Sequence, residues 1–289
     1  MRLAFVHGIN NENNTPESIA NVWWDALVAG WKAAGLMPKP KPDISVGYYA
    51  DLLGGGTSSA AVEMGPSGSS TGLAAGLLQE YADAADVSPD ELRAVTAELG
   101  LPAEAVAQGA PHEGWIVGFA SVLERVLPTK GKLMARLFLR QAVTYINDRA
   151  LAAQIDRKVS SQIFGAKSDP VIVIAHSLGT VVSYRILASG AAAGRQVPLF
   201  VTLGSPLSVR MFKSILPARS SIPNPPIGRW FNGRHKEDFV TLGRAITQQS
   251  IGFPDVVDQT DIVNKDDDKH TIIHYLASPS VAREIYAQI

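Results

Sequence analysis

Short unbroken apolar runs alternate with longer amphipathic stretches along this chain. Leu3-Ala4-Phe5-Val6 is the first run and predicts a buried strand ending at His7-Gly8. Residues 16–35 carry a helical period, with Thr15 placed to cap, Pro16 in the first turn and Gly35 at the end. Trp23, Leu27 and Trp31 fall on one face of that helix, so they are expected in the core. Residues 44–50 predict a second strand. Val171 to Ala175 is the strongest apolar run, and residues 181–188 after it suit a helix. Residues 198–203 and 255–263 predict further strands, the second ahead of a closing helix at 280–289.

Between these elements the pattern changes. Residues 54–76 are rich in Gly, Ser, Ala and Thr and predict a loop or insertion. Residues 88–99 suit a short helix, with Ser88 as cap, Pro89 in the first turn and Glu91 completing a capping box. Residues 115–127 and 132–163 are expected to be helical, the second as one long amphipathic stretch. Residues 217–227 are proline-dense and irregular. Strands alternating with helices predict an α/β fold with a mainly parallel central sheet, helices on its flanks and right-handed crossovers. The expected organisation is a single domain over residues 1–289, with residues 52–135 as a mostly helical cap or lid inserted within it.

Composition narrows the function classes. The 289 residues are 46% hydrophobic and 18% charged, which is ordinary for a globular enzyme. A net charge of -1 argues against a nucleic-acid partner, which requires a basic surface to meet phosphates. The absence of cysteine removes disulfide, thiolate and Cys-based metal chemistry. Residues 1–6 show no apolar leader with a cleavage site, and no apolar run is long enough to span a membrane, so the expectation is a cytoplasmic protein.

The candidate chemistry starts at Ser177. It stands between a buried strand and a helix, in the string Ala175-His176-Ser177-Leu178-Gly179. Such a tight turn pushes a hydroxyl toward substrate, and small residues on either side let strand and helix cross closely. A serine hydroxyl is a weak nucleophile, so it requires a base, an orienting acid and oxyanion donors. His176 is too close in sequence to act as base and is expected to support the turn. His112 and His235 lie in loops without a supporting pattern. His270 and His274, on a late loop able to fold back over the strand ends, lead as bases. Asp238 leads as acid because it follows a predicted strand, with Glu237, Asp255, Asp258 and Asp261 as alternatives. One oxyanion donor is expected from the backbone N–H of Leu178. The other is expected from the His7-Gly8-Ile9-Asn10 loop, with Ile9 ahead of Asn10. The Asp266–Asp268 run suggests a solvated turn, since it lacks the glycine and late glutamate of an EF-hand loop.

Five strings are distinctive together. They are F-V-H-G near the start, A-H-S-L-G-T in the middle, T-L-G-S-P-L, R-W-F-N through E-D-F-V, and H-T-I-I-H-Y-L-A-S-P-S-V-A. Their order is oxyanion loop, nucleophile, acid, histidine, and the set resembles the α/β-hydrolase serine esterases and lipases. Ala175 departs from the first glycine of the usual G-x-S-x-G pattern. The resemblance implies that the two antiparallel strands often found first in that fold are missing. It also favours His270, five residues before the Tyr275-Leu276 pair, over His274 as base.

The expectation is therefore a serine hydrolase of carboxylic esters, with Ser177 as nucleophile, His270 as base and Asp238 as acid. Leu178 and Ile9 form the oxyanion hole, with His7, Gly8, Asn10 and His176 in support. The substrate is expected to be a small-molecule or lipid ester, with no cofactor or metal. Acyl transfer, thioester hydrolysis or amide hydrolysis would use the same triad, and a non-catalytic scaffold is the reading from another class. Trp115, Ile116 and Phe119 in the insertion could line an acyl pocket, contact a partner or simply pack. The insertion could also join copies of the chain.

Overall fold

β1 (Arg2–Val6) is buried at every position because it lies inside a sheet covered on both faces. A computed structural model describes residues 1–54, 131–166, 168–214, 216, 226–253, 255–263 and 269–289. It also describes 77, 80–84, 88, 90 and 94. The other strands are β2 (Ile44–Gly47), β3 (Val171–His176), β4 (Val197–Leu203), β5 (Ile227–Gly233) and β6 (Val256–Gln259). They form one six-stranded sheet in the order β2-β1-β3-β4-β5-β6, and every pair is parallel. The fold is therefore of the α/β class.

The helices are α1 (Pro16–Ala33), α2 (Ala50–Gly54), α3 (Gly131–Asn147), α4 (Arg149–Phe164) and α5 (Leu178–Leu187). After them come α6 (Arg210–Ser214), α7 (Gln248–Ile251), α8 (Ile272–Leu276) and α9 (Pro279–Tyr286). Alternate strand residues feed two apolar layers. Leu3, Phe5, Ile172 and Ile174 pack with Trp23, Leu27 and Trp31 of α1 and with Tyr275, Leu276 and Val281 near the C-terminus. Ala4, Val6, Val173 and Ala175 pack with Phe138, Ile155, Val159 and Val181 of α3, α4 and α5. Burial on both faces explains why the strands are continuous apolar runs rather than alternating ones. The aromatic face of α1 is thus core, as its period predicts.

The register brings the strand ends into one row. Val6 pairs with Gly47 on one side and with Ala175 on the other. His176 pairs with Leu203, Leu203 with Gly233, and Gly233 with Gln259. The loops after β1, β3, β4 and β5 therefore leave from a common edge. Between β1 and β3 the chain order reverses direction across the sheet. Ligands of open α/β sheets favour that crevice at the carboxyl ends of the strands.

Several boundaries differ from expectation. The second strand stops at Gly47 rather than at residue 50. The Tyr48 N–H donates to Gln162 Oε1 at 2.8 Å and the Tyr49 N–H to His7 Nε2 at 3.1 Å, so the backbone has left the ladder. The expected helix 132–163 is two helices. Asp148 interrupts it with an extended backbone and caps α4 by accepting from the Leu151 N–H at 2.9 Å. The last strand is only Val256–Gln259, and α8 has no counterpart in the sequence reading. The ends of the expected insertion, 52–54 and 131–135, lie in α2 and α3. Its Leu77 and Tyr81 are fully buried in the α3–α5 layer. The expected helices 88–99 and 115–127 lie outside the described residues apart from isolated positions, as do Trp115, Ile116, Phe119 and Asp266–Asp268. Among the described residues, no helix is long and apolar enough to cross a membrane.

Candidate active site

Ser177 is the single residue between β3 and α5, and its backbone is forced into a left-handed conformation with φ 54° and ψ -132°. A non-glycine residue there is strained, and strain of this kind persists only where the surroundings over-determine it. They do so here. The Ser177 N–H donates to Leu203 O at 3.0 Å, continuing the β3–β4 ladder. The Ser177 carbonyl accepts from the Thr180 N–H at 2.9 Å and from Thr180 Oγ1 at 2.7 Å. Thr180 Oγ1 also meets Ser205 Oγ at 2.8 Å, tying the turn to the loop after β4.

Two glycines make the crossing possible. A Cβ on Gly179 would stand 2.2 Å from His7 O and 2.6 Å from Val6 O, both backbone atoms. A Cβ on Gly8 would stand 2.5 Å from the Ser177 Cβ. The start of α5 is thus pressed against the end of β1, which brings the Gly8 loop beside the serine.

The sequence predicts an accessible hydroxyl, and the structure corrects this. Ser177 has no exposed surface, and among the described residues its Oγ has no hydrogen-bond partner.

Each proposed oxyanion residue has a definite place. Leu178 is the first residue of α5, so its N–H precedes every intrahelical acceptor. Ile9 is buried, and its carbonyl accepts from Asn11 Nδ2 at 2.8 Å. Asn10 is exposed with φ 57°, a left-handed position that asparagine tolerates. His7 braces this loop from beneath. Its Nδ1–H donates to Gly8 O at 2.6 Å, its Nε2 accepts from the Tyr49 N–H, and its ring stacks on Tyr49 at 4.3 Å. Tyr49 OH returns a bond to His7 O at 2.8 Å. Burial pushes the His7 pKa down to about 4, so the ring is neutral and both bonds hold.

The residues expected as acid and base meet. The His270 Nδ1–H donates to Asp238 Oδ2 at 2.8 Å, with both residues almost fully buried. Asp238 Oδ1 accepts from the Val240 N–H at 2.9 Å, which makes the acid the cap of a short turn at Phe239–Thr241. Tyr275 OH also donates to Asp238 Oδ2, at 2.6 Å. Gly204 lies beneath the pair with φ +56°. A Cβ there would stand 2.9 Å from His270 Cε1 and 3.0 Å from Asp238 Oδ2. Its neighbour Leu203 supplies the carbonyl that holds the Ser177 N–H, so pair and serine share one edge of the sheet.

The remaining candidates are placed elsewhere. His274 sits half-buried on α8, and Asp238 faces His270 instead. Glu237 is exposed. Asp261 accepts from Ser280 Oγ at 2.6 Å. Asp258 binds Arg234 Nε at 2.8 Å and Asn232 Nδ2 at 2.7 Å. His176 does more than support its own turn: its Nε2–H donates to His270 O at 2.9 Å, and the two rings lie 4.5 Å apart. Burial, reinforced by the nearby His270, holds the His176 pKa well below its usual value. Among the described residues, no group of three or more His, Cys, Asp or Glu side chains is arranged to hold a metal ion.

Sequence reasoning missed Tyr275, Gly204, Thr180, Ser205 and Tyr49. Tyr275 served only as a marker for His270, and nothing local reveals that its hydroxyl reaches Asp238. Burial and the charge of Asp238 raise the Tyr275 pKa well above its usual value, so it stays a donor. Glu80 and Tyr81, from the expected insertion, also reach this edge. Tyr81 OH donates to Val240 O at 2.7 Å, and Glu80 accepts from the Arg210 and Met211 N–H groups and pairs with Arg244.

No family model, no curated protein and no solved structure matches this chain.

Proposed function

We propose that this protein is a serine hydrolase with an α/β-hydrolase fold, cleaving carboxylic esters through an acyl-enzyme on Ser177. The observation that carries the reading is a strained serine turn and a buried His270–Asp238 pair on one sheet edge, linked through the Leu203–Gly204 backbone. The chain order of nucleophile, acid and histidine is the order used by that fold. The location at the β1–β3 reversal supports a ligand site independently of the motifs.

Asp238 holds Nδ1 of His270, which leaves Nε2 as the ring nitrogen that takes a proton. His270 accepts the Ser177 proton as Oγ attacks the acyl carbon. The carbonyl oxygen becomes an oxyanion, stabilised by the N–H groups of Leu178 and Ile9 and by the first turn of α5. Collapse breaks the ester bond, and His270 passes its proton to the departing alcohol. Water, deprotonated by His270, then attacks the acyl-enzyme and releases the acid and free Ser177. The substrate is a small-molecule or lipid ester. Thioesters, amides and acyl acceptors other than water would use the same atoms.

The test is an ester panel graded by acyl length, run on wild type and Ser177→Ala. Turnover is expected to fall by about 10⁶-fold, with an unchanged circular dichroism spectrum. An activated phosphonate is expected to label Ser177 alone. Turnover that survives the substitution, or labelling at another serine, rejects the assignment.

A further inference from the structure

Asp238 is an almost fully buried carboxylate whose side chain takes three donors: the Val240 N–H on Oδ1, and His270 Nδ1–H together with Tyr275 O–H on Oδ2. The phenol contact is the shortest of the three, at 2.6 Å. The direction of the phenol hydrogen is fixed. Tyr275 oxygen accepts from the His235 N–H at 3.0 Å, so its own proton is committed to Asp238. His235 and Asp238 lie on one loop after β5, while Tyr275 lies on α8, just after His270. One hydroxyl therefore joins the acid loop to the segment that carries the base.

We infer that Tyr275 is a positioning residue of the His270–Asp238 pair, whose hydroxyl draws carboxylate charge from the oxygen that His270 uses and so sets how tightly the imidazole holds a proton. This inference rests on the hydrolase reading only for its catalytic consequence. The physical argument is competition at one atom. Charge that Oδ2 shares with the phenol is not available to stabilise an imidazolium. Packing alone would need only the ring, and a buried tyrosine without this role would find any acceptor. Other groups face the cluster: His176 against both His270 and Tyr275, Arg234 toward Tyr275, Tyr81 toward Asp238, and Glu237 and Lys269 around His235. None of these is removed by a change at the Tyr275 hydroxyl.

The test reads the His270 imidazole directly, by nitrogen-15 NMR titration of the full-length protein carrying Ser177→Ala, with the resonance assigned by its loss in His270→Gln. Tyr275→Phe is expected to raise the His270 midpoint by about half a pH unit or more, because the whole charge of Oδ2 then faces the imidazole. Replacing Tyr275 with 3-fluorotyrosine keeps the ring and strengthens the donor, so the midpoint is expected to fall. A midpoint that stays put, or moves in the reverse direction, overturns the inference. If Tyr275→Phe does not fold, the fluorotyrosine protein decides alone. Absence of ester turnover in wild type would reject the hydrolase reading and leave the titration to judge Tyr275. Where turnover is present, the acidic limb of kcat/KM is expected to move with the NMR midpoint while KM for a short ester stays constant.

Discussion

The two halves of the candidate site combine shape and hydrogen bonding in different proportion. Around Ser177 the constraint is shape. Gly8 and Gly179 leave no room for a single added carbon, because the atoms they meet include the backbone of β1 and Ser177 itself. Around Asp238 the constraint is hydrogen bonding. Trp230 Nε1 donates to Thr202 Oγ1 at 2.9 Å, Thr202 Oγ1 to Asn232 Oδ1 at 2.7 Å, and Asn232 Nδ2 to Asp258 at 2.7 Å. Arg234 then binds both Asp258 and Gly243 O, the latter at 2.6 Å, which fixes the loop carrying the acid. The Ser177 side is therefore the more sensitive to added atoms, and the Asp238 side, Gly204 apart, to lost donors and acceptors.

The largest effect tests the acid side. Asp238→Asn keeps the volume but offers His270 Nδ1 a mixed donor–acceptor group and so favours the wrong tautomer. A loss of about 10⁴-fold in kcat is expected on a short ester, with KM little changed. A loss below tenfold would show that charge at this position is dispensable. The next tests shape. Gly179→Ala is expected to destabilise the fold by about 3 kcal/mol or more in urea denaturation, since neither His7 O nor Val6 O can retreat without moving β1. A cost under 1 kcal/mol would mean that the crossing has slack, and the contrast between the halves would fail.

The smallest effect comes from acid. His7 is ionisable near pH 6.5 when unfolded and near pH 4 when folded, so the unfolded chain binds a proton first. Its contribution is complete above about pH 6.5 and is lost as the pH falls toward 4. By pH 5 the loss is about 2 kcal/mol relative to pH 7.5. His176, shifted in the same direction, adds to this. His7→Gln, which keeps an acceptor for the Tyr49 N–H but does not titrate, is expected to flatten the curve of denaturation midpoint against pH. An unaltered slope would remove His7 from the acid response.

The same division explains what could be read from the chain. The steric half leaves a local record: an apolar run, small residues at Ala175 and Gly179, and a helix after them. The strand at Leu3 to Val6 and the turn at Ser177 were visible for that reason. The hydrogen-bonded half is long-range. Asp238 and His270 stood out through their place in motifs, but Tyr275, Gly204 and the Thr202–Asn232–Asp258 chain depend on sheet register. Asp148 shows a limit of periodicity, because one capping residue separates α3 from α4 without disturbing the apolar pattern. Burial of Ser177 is also illegible in the sequence, since exposure depends on residues far away along the chain.

That burial carries a consequence in time. A hydroxyl with no exposed surface meets no reagent in the resting conformation. On the hydrolase reading, an encounter with substrate requires a fluctuation that exposes this hydroxyl, and the fraction of molecules so opened scales the apparent affinity. Changes outside the reacting residues that alter this fraction would then alter turnover at low substrate concentration.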